Sequence, residues 1–170
     1  MLPDIALVLT VGICAFTDLH KRKIYNLMVF PSLITAILWY LLQDPSLIKT
    51  PLVGVFVGAT LLMLPFMAGA IGAGDVKLLA VVGAWQGPLF AFQVLLVATI
   101  AGGLWALGIL WREKRLLSGC KAIANTFLGL VFLQHGLSKL PRLGTSVLPK
   151  QTVPYGVAIA AGVLVCLGWR

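Results

Sequence analysis

The sequence predicts an all-α protein that crosses a membrane several times, and its composition carries this prediction. Hydrophobic residues make up 60% of the 170 residues, charged residues make up only 11%, and the mean hydropathy is +1.02. A soluble domain would have roughly a quarter of its residues charged. At roughly 20 residues for each helix, the chain has room for a bundle of about six transmembrane helices. Residues 1–170 are therefore expected to form a single integral-membrane domain.

Six apolar runs, each bounded by charge, proline or glycine, are the candidate helices. They lie near Leu2 to Thr17, Leu27 to Leu42, Pro51 to Ala70, Val76 to Trp85, Leu89 to Trp111 and Val153 to Trp169. The fourth run covers only about 15 Å of a hydrocarbon core roughly 30 Å thick. It either continues past Gly87-Pro88 or forms a short helix that its neighbours shield. Between Arg112 and Lys150, the apolar stretch Asn125 to Gly136 suits an interfacial or re-entrant segment.

The basic residues predict the orientation of the bundle. If the six helices alternate in direction, eleven of the thirteen Lys and Arg residues fall in the first, third and fifth connections. By the positive-inside rule that side is cytoplasmic, which places both termini on the extracytoplasmic side. The net charge of +8 then reflects topology and contact with the anionic headgroups of the lipid bilayer. A nucleic-acid partner is not expected.

Two of the five acidic residues stand at the cytoplasmic ends of these runs. Asp18 follows the first run and precedes a basic cluster, and Asp75 lies within the turn Gly72-Ala73-Gly74-Asp75. A carboxylate at membrane depth costs at least about 2.5 kcal/mol, so it persists mainly where function or a partner requires it. Two carboxyl groups at close range cannot both ionise, so one can act as an acid and the other as a base in splitting a peptide bond.

Each aspartate also has a purely structural interpretation. Asp75 could be the N-cap of the fourth helix, with Gly72 and Gly74 closing the third helix. Asp18 could be an interfacial residue whose charge the neighbouring basic cluster balances. In the catalytic interpretation, the two glycines allow an unusual backbone angle and a close approach of the substrate to the carboxylate. The occurrence of both aspartates on one side of the membrane favours that interpretation.

Three segments, in chain order, carry a resemblance to a known family. Thr17-Asp18, with the basic run that ends in Ile24-Tyr25-Asn26, resembles a first-aspartate segment in which proline is usual at the position of Tyr25. The segment 72–77, GAGDVK, is similar to a GxGD motif, and 154–158, PYGVA, resembles a Pro-Tyr-Gly-x-Ala signature. Together they resemble the type IV prepilin peptidases. Presenilin-like proteases share GxGD but pair it with Tyr-Asp and Pro-Ala-Leu motifs, which this chain lacks.

The resemblance implies an aspartyl endopeptidase of the bacterial inner membrane, with Asp18 and Asp75 as acid and base acting on water. Members remove the short basic leader of prepilins and pseudopilins after a glycine at the cytoplasmic face, and they serve pilus and secretion assembly proteins. No cofactor and no metal are implied. Because Asp18 comes early and the chain has no CxxC pair, it looks like the short, peptidase-only form associated with tight-adherence (Flp) pili, without methyltransferase activity.

Supporting roles are assigned to a few further residues. Lys77 either orients Asp75 or is an ordinary positive-inside residue. Asn26 either caps the second helix or forms a bond near the site. The segment Pro154-Tyr155-Gly156 either shapes a substrate groove or simply opens the last helix. Tryptophans near the ends of the runs are expected at the membrane interface, and these are Trp39, Trp85, Trp111 and Trp169.

Two other classes of function are left open by the residues. A small proton-coupled transporter also uses membrane carboxylates, but it predicts polar groups near the bilayer midplane and internal repeats. A non-enzymatic scaffold for pilus or secretion assembly would tolerate the loss of both carboxylates. Replacement of either aspartate therefore separates a peptidase from a scaffold.

Overall fold

The computed structural model describes residues 2–67, 69, 71–112 and 155–169. Over these ranges the chain forms α-helices and one short 3₁₀ helix, Pro45–Ile48, and no strand. This confirms the predicted all-α class. The helices, in chain order, are α1 Leu2–Lys21, α2 Asn26–Gln43, α3 Lys49–Met67, α4 Ala73–Gln86, α5 Pro88–Arg112 and α6 Tyr155–Gly168.

Four of the described segments are long and apolar enough to cross a membrane. They are α1, α2, the 3₁₀ helix continued by α3, and α5. Helices α4 and α6 have 14 residues each, which corresponds to about 21 Å at 1.5 Å per residue. The protein is thus a multi-pass membrane protein, whereas the count of six spans and the side of the termini stay predictions. The proposed interfacial segment within 113–154 lies outside the described residues.

Helix α4 is the centre of the bundle. It packs against all of α1, α2, α3, α5 and α6, and ten of its 14 residues are buried. It ends at Gln86 because Gly87 takes φ +86°, where its N–H caps the Gly83 carbonyl at 2.8 Å, and Pro88 then begins α5. Of the two alternatives for the fourth run, the short helix shielded by its neighbours is the observed one. The outer helices, in contrast, expose many large apolar side chains, as a surface in lipid does.

Glycines bring α3 and α4 into backbone contact. A Cβ on Gly54 would overlap the Gly83 carbonyl oxygen, and a Cβ on Gly83 would overlap that of Gly54. A Cβ on Gly58 would lie 2.5 Å from the Leu79 oxygen. Small residues allow such close packing of helices in membranes. The Gly54-x-x-x-Gly58 pattern therefore serves packing inside the bundle.

A buried hydrogen-bond network joins α1, α2 and α4. Ser32 Oγ accepts from Trp85 Nε1 at 3.0 Å and lies 3.1 Å from Thr10 Oγ1, while the Tyr40 hydroxyl donates to the Trp85 carbonyl at 3.0 Å. The expectation that Trp85 belongs to the membrane interface is wrong, because its ring is buried between helices. Trp85 ends an apolar run, but that run is the central helix and not a lipid-facing one.

Candidate active site

The two predicted catalytic residues come from the ends of two helices that run in opposite directions through the bundle. Asp18 lies in the last turn of α1, and Asp75 is the third residue of α4. Both side chains are buried, each with 8% of its surface exposed. Neither is thus an exposed interfacial carboxylate, which weakens the structural interpretation given to Asp18 above.

The two aspartates line one cavity of about 410 Å³. We call it the aspartate cavity, and its walls are the end of α1 with the link to α2 and the turn that begins α4: Asp18, Arg22, Lys23, Ile24, Tyr25, Asn26, Gly72, Ala73, Gly74 and Asp75. The first-aspartate segment and the GAGD turn, separated by about fifty residues in sequence, therefore form the opposite walls of one space. Of the predicted site residues, Lys77, Tyr155 and Gly156 do not line it.

Each carboxyl group accepts one backbone N–H from a glycine. The Gly156 N–H donates to Asp18 Oδ2 at 3.0 Å, and the Gly72 N–H donates to Asp75 Oδ2 at 3.1 Å. The second oxygen of each carboxyl accepts no hydrogen bond from the described part of the chain. Since no buried side-chain oxygen there lacks a partner, both second oxygens are accessible to water. One oxygen of each acid is anchored, and the other is available for chemistry.

The start of α4 differs in two respects from expectation. The N-cap is Gly72 and not Asp75, which reaches back from the third position of the helix to the Gly72 N–H. The expected unusual backbone angle is also wrong, because Gly72 has φ −82° and ψ 154°, values that any residue adopts. Gly74 is needed for space instead, since a Cβ there would lie 2.8 Å from the Ile24 Cβ. This contact packs one motif directly against the other.

Lys77 and Asn26 bond to each other beside the aspartate cavity. Lys77 Nζ donates to Asn26 Oδ1 at 2.9 Å and lies 5.7 Å from the centre of the Phe30 ring. Asn26 is the first residue of α2, and it does not cap that helix: Tyr25 is the N-cap and makes no side-chain capping bond. The capping alternative for Asn26 is therefore wrong. The pair ties α4 to α2 next to Asp75.

The link from α1 to α2 supplies the basic wall of the cavity. Arg22 takes φ +50°, the left-handed region that non-glycine residues rarely enter, and its N–H donates to the Asp18 carbonyl at 2.8 Å. This turn carries Arg22 and Lys23 to the cavity. Tyr25 follows with φ −82° and ψ 131°, an extended conformation close to the φ that proline imposes. Tyr25 therefore preserves the backbone path at the position where proline is usual in the family that this segment resembles.

The contact that sequence reasoning missed is the bond from Gly156 to Asp18. It joins residues 138 positions apart, and no local pattern announces it. Tyr155, next to Gly156, approaches the Thr99 hydroxyl to 3.2 Å through its own hydroxyl. Pro154, the remaining member of the predicted groove, lies outside the described residues. Over the described ranges, no group of three or more His, Cys, Asp or Glu side chains could hold a metal ion.

Comparison with known proteins identifies the family of the chain. The family model described as the type IV leader peptidase family matches residues 5–107. This range contains both aspartates and every residue that lines the aspartate cavity. No curated protein and no solved structure matches the chain. The match ends before α6, which supplies the Gly156 N–H.

Proposed function

The chain belongs to the type IV leader peptidase family, and on this premise we propose that it removes prepilin leaders with Asp18 and Asp75 as a catalytic pair. The observation that supports the pair most strongly is the shared cavity, in which both acids are buried, anchored through one oxygen and accessible through the other. In this proposal the enzyme is an aspartyl endopeptidase of the GxGD class. Its substrates are prepilins and pseudopilins.

The proposed mechanism uses one ionised and one protonated aspartate. The ionised carboxylate takes a proton from a water molecule as the water oxygen attacks the scissile carbonyl carbon, and the protonated carboxyl gives its proton to the carbonyl oxygen. The product of this step is a neutral gem-diol. The first aspartate, now protonated, then passes a proton to the amide nitrogen as the C–N bond breaks, and the second aspartate, now ionised, takes a proton from one hydroxyl of the gem-diol. A carboxylic acid and an amine are released, and the pair returns to its starting protonation state. The glycine N–H bonds hold both acids in fixed orientations, which lowers the entropic part of the barrier.

Charge supports a cytoplasmic position for the site. Lys21, Arg22, Lys23 and Lys77 all lie at the end of the bundle that contains the two aspartates. The positive-inside rule places such an end of the bundle on the cytoplasmic side. In this proposal the membrane is the bacterial inner membrane. A prepilin has a short basic leader before an apolar segment, so its cleavage site reaches this face when the apolar segment enters the bilayer. We propose cleavage after the glycine that precedes that segment.

We propose further that the substrates are Flp-type prepilins and that the new N-terminus is not methylated, since residues 1–170 contain no CxxC pair. The partners of the protein would then be Flp-type prepilins, pseudopilins and the assembly proteins of that pilus. N-terminal sequencing and mass measurement of a processed pilin test both points together. A cleaved N-terminus that carries an added methyl group would contradict the peptidase-only assignment.

Replacement of the aspartates tests the catalytic pair. We expect Asp18→Asn and Asp75→Asn each to lower the rate of leader removal about a thousandfold or more, because the pair acts as a unit. The assay is co-expression with a Flp-type prepilin, read by gel shift and N-terminal sequencing. Asp44→Asn is the matched control, since Asp44 is an exposed aspartate between α2 and the 3₁₀ helix, where its carboxylate accepts the Ser46 N–H, and it does not line the aspartate cavity.

The outcomes separate the classes of function. Loss of cleavage in both variants, with normal membrane insertion and normal activity of Asp44→Asn, supports the aspartyl peptidase. Normal processing by either aspartate variant would remove the proposed mechanism. Absence of cleavage by the inserted wild-type protein, over several prepilins, would return the non-enzymatic scaffold and the transporter to consideration.

A further inference from the structure

We propose that Gly156 is a positioning residue of the active site: the first turn of α6 holds the Asp18 carboxylate in the orientation that catalysis needs. The inference rests on the proposed catalytic role of Asp18 and deepens it. Helix α6 lies outside the range 5–107 that matches the family. The sequence indicated Pro154-Tyr155-Gly156 only as a possible groove, and the bond to Asp18 is seen in the folded bundle.

The bond between Gly156 and Asp18 satisfies two groups that otherwise lack partners. Gly156 is the second residue of α6, where backbone N–H groups have no acceptor within the helix. Asp18 Oδ2 is buried and accepts this N–H at 3.0 Å. The positive end of the helix dipole also favours a negative carboxylate at this place. The helix terminus and the acid are therefore complementary in geometry and in charge.

Only glycine at position 156 allows this approach. A Cβ built there would lie 2.8 Å from Asp18 Oδ2 and 3.3 Å from both the Cβ and the Cγ of Asp18. A distance of 2.8 Å is shorter than real Cβ contacts, so a side chain would push the carboxylate away from its anchor. Substitution by alanine thus changes the orientation of Asp18 while it adds only one methyl group.

Helix α5 holds the start of α6 in place. Gly102 allows the Tyr155 ring to pack on α5, since a Cβ there would be 3.3 Å from that ring, and the Thr99 and Tyr155 hydroxyls lie 3.2 Å apart. About two turns further along α6, Gly162 packs on the α5 backbone, where a Cβ would be 2.9 Å from the Val94 carbonyl oxygen. The contacts of Tyr155 therefore fix the first turn of α6, which carries the Gly156 N–H, whereas Gly162 packs the middle of the helix.

A positioning role for Gly156 and a role in a substrate groove predict different kinetics. Tyr155 and Gly156 do not line the aspartate cavity, so a change at Gly156 is expected to leave substrate affinity intact. It should lower kcat, because a misplacement of about 1 Å in a reacting group costs roughly a hundredfold in rate. A residue of the groove would instead raise KM.

Two alanine substitutions on α6 form a matched pair for the test. Both Gly156→Ala and Gly162→Ala introduce a methyl group that would lie within 3 Å of an oxygen, but only the first oxygen belongs to a carboxylate of the site. Each full-length variant is purified in detergent, and kcat and KM for a prepilin and the thermal midpoint are measured. For Gly156→Ala we expect a roughly hundredfold lower kcat with KM and Tm near those of the wild type. For Gly162→Ala we expect a lower Tm and a kcat per folded molecule within about threefold of the wild type.

Several outcomes would overturn the inference. A raised KM with unchanged kcat in Gly156→Ala would assign the residue to a groove, and equal losses of kcat and Tm in both variants would assign it to packing. If Gly156→Ala does not fold, Tyr155→Phe provides the test, because it loosens the start of α6 without adding an atom. We expect a severalfold lower kcat at unchanged KM from that change, and an unchanged kcat would count against positioning.

Asp18→Asn, measured in parallel, separates this inference from the proposed function. Cleavage by Asp18→Asn would refute the catalytic pair itself. Loss of cleavage in Asp18→Asn together with wild-type kinetics in Gly156→Ala would refute only the positioning role of α6.

Discussion

Asp18 and Asp75 are held by the same kind of bond but by different parts of the chain. Asp75 accepts the N–H of Gly72, three residues before it, whereas Asp18 accepts the N–H of Gly156, 138 residues after it. The first bond forms within one turn when α4 begins. The second forms only when α6 has packed against α1 and α5. One acid is positioned by a local motif, and the other is positioned by the tertiary structure.

This difference matters for how the site can fail. A change in the GAGD turn acts on Asp75 directly, and a short segment of chain contains both the acid and its anchor. The anchor of Asp18 depends instead on the first turn of α6, whose contact with α5 relies on Gly102. We therefore expect changes far from the aspartate cavity to affect Asp18 more readily than Asp75. The contact between α4 and α3 is the exception, because a change there is far from the aspartate cavity and still acts on Asp75.

The largest effect should come from breaking that contact. Gly83→Val places a branched side chain against the Gly54 carbonyl, so α4 must move away from α3 and Asp75 must move with it. We expect a loss of about 3 kcal/mol in the free energy of unfolding, measured by denaturation in detergent, and a corresponding loss of folded, active protein. Gly12→Val is the control, since a Cβ at Gly12 meets nothing within 4 Å. Equal stability of the two variants would contradict the α3–α4 backbone contact.

A smaller effect is expected where the two motifs meet. Gly74→Ala brings a methyl group to 2.8 Å from the Ile24 Cβ, which separates the walls of the aspartate cavity while the Gly72 N–H bond to Asp75 is kept. We expect a loss of about 1 to 2 kcal/mol in stability and a kcat roughly tenfold lower, from unfolding and prepilin cleavage assays. Gly72→Ala is the stability control, because its Cβ would come no closer than 3.4 Å to any atom. If Gly72→Ala destabilised the protein more than Gly74→Ala, the contact with Ile24 would not be the constraint.

The two aspartates and their approach to one cavity could be predicted from the sequence. The tertiary contact that anchors Asp18 could not. A buried carboxylate has a high cost in a membrane, so Asp18 and Asp75 stood out in a chain with five acidic residues. Their approach to one cavity followed from their places at helix ends. The bond from Gly156, however, depends on how α6 packs, which no spacing in the sequence encodes.

Two of the interpretations that were wrong share one cause. Trp85 was interpreted from its neighbours in sequence as an interfacial ring, and capping of α2 was one of the two alternatives given for Asn26. In the structure each bonds to a distant residue, Trp85 to Ser32 and Asn26 to Lys77. Because α4 lies at the centre of the bundle, both side chains form contacts between helices. Local rules apply well to the outer helices, and tertiary contacts override them around α4.

Replacement of Lys77 should give the smallest effect. It tests whether Asp75 depends on any contact outside the GAGD turn. Lys77 donates to Asn26 and makes no described hydrogen bond to Asp75, so Lys77→Met should cost only about 0.5 kcal/mol in stability. We expect kcat within about threefold of the wild type, because the Gly72 N–H still anchors Asp75.

Asn26→Ala completes this comparison, because it removes the other partner of the same hydrogen bond. If Lys77 acts through Asn26, the two variants and the double variant should give equal kinetics and stability, since the same bond is lost in all three. A large fall in kcat in Lys77→Met alone would show that the ammonium group acts on Asp75 directly. Asp75 would then depend on a charged neighbour as well as on its turn, and the contrast between a locally held and a distantly held aspartate would be weaker than the hydrogen bonds indicate.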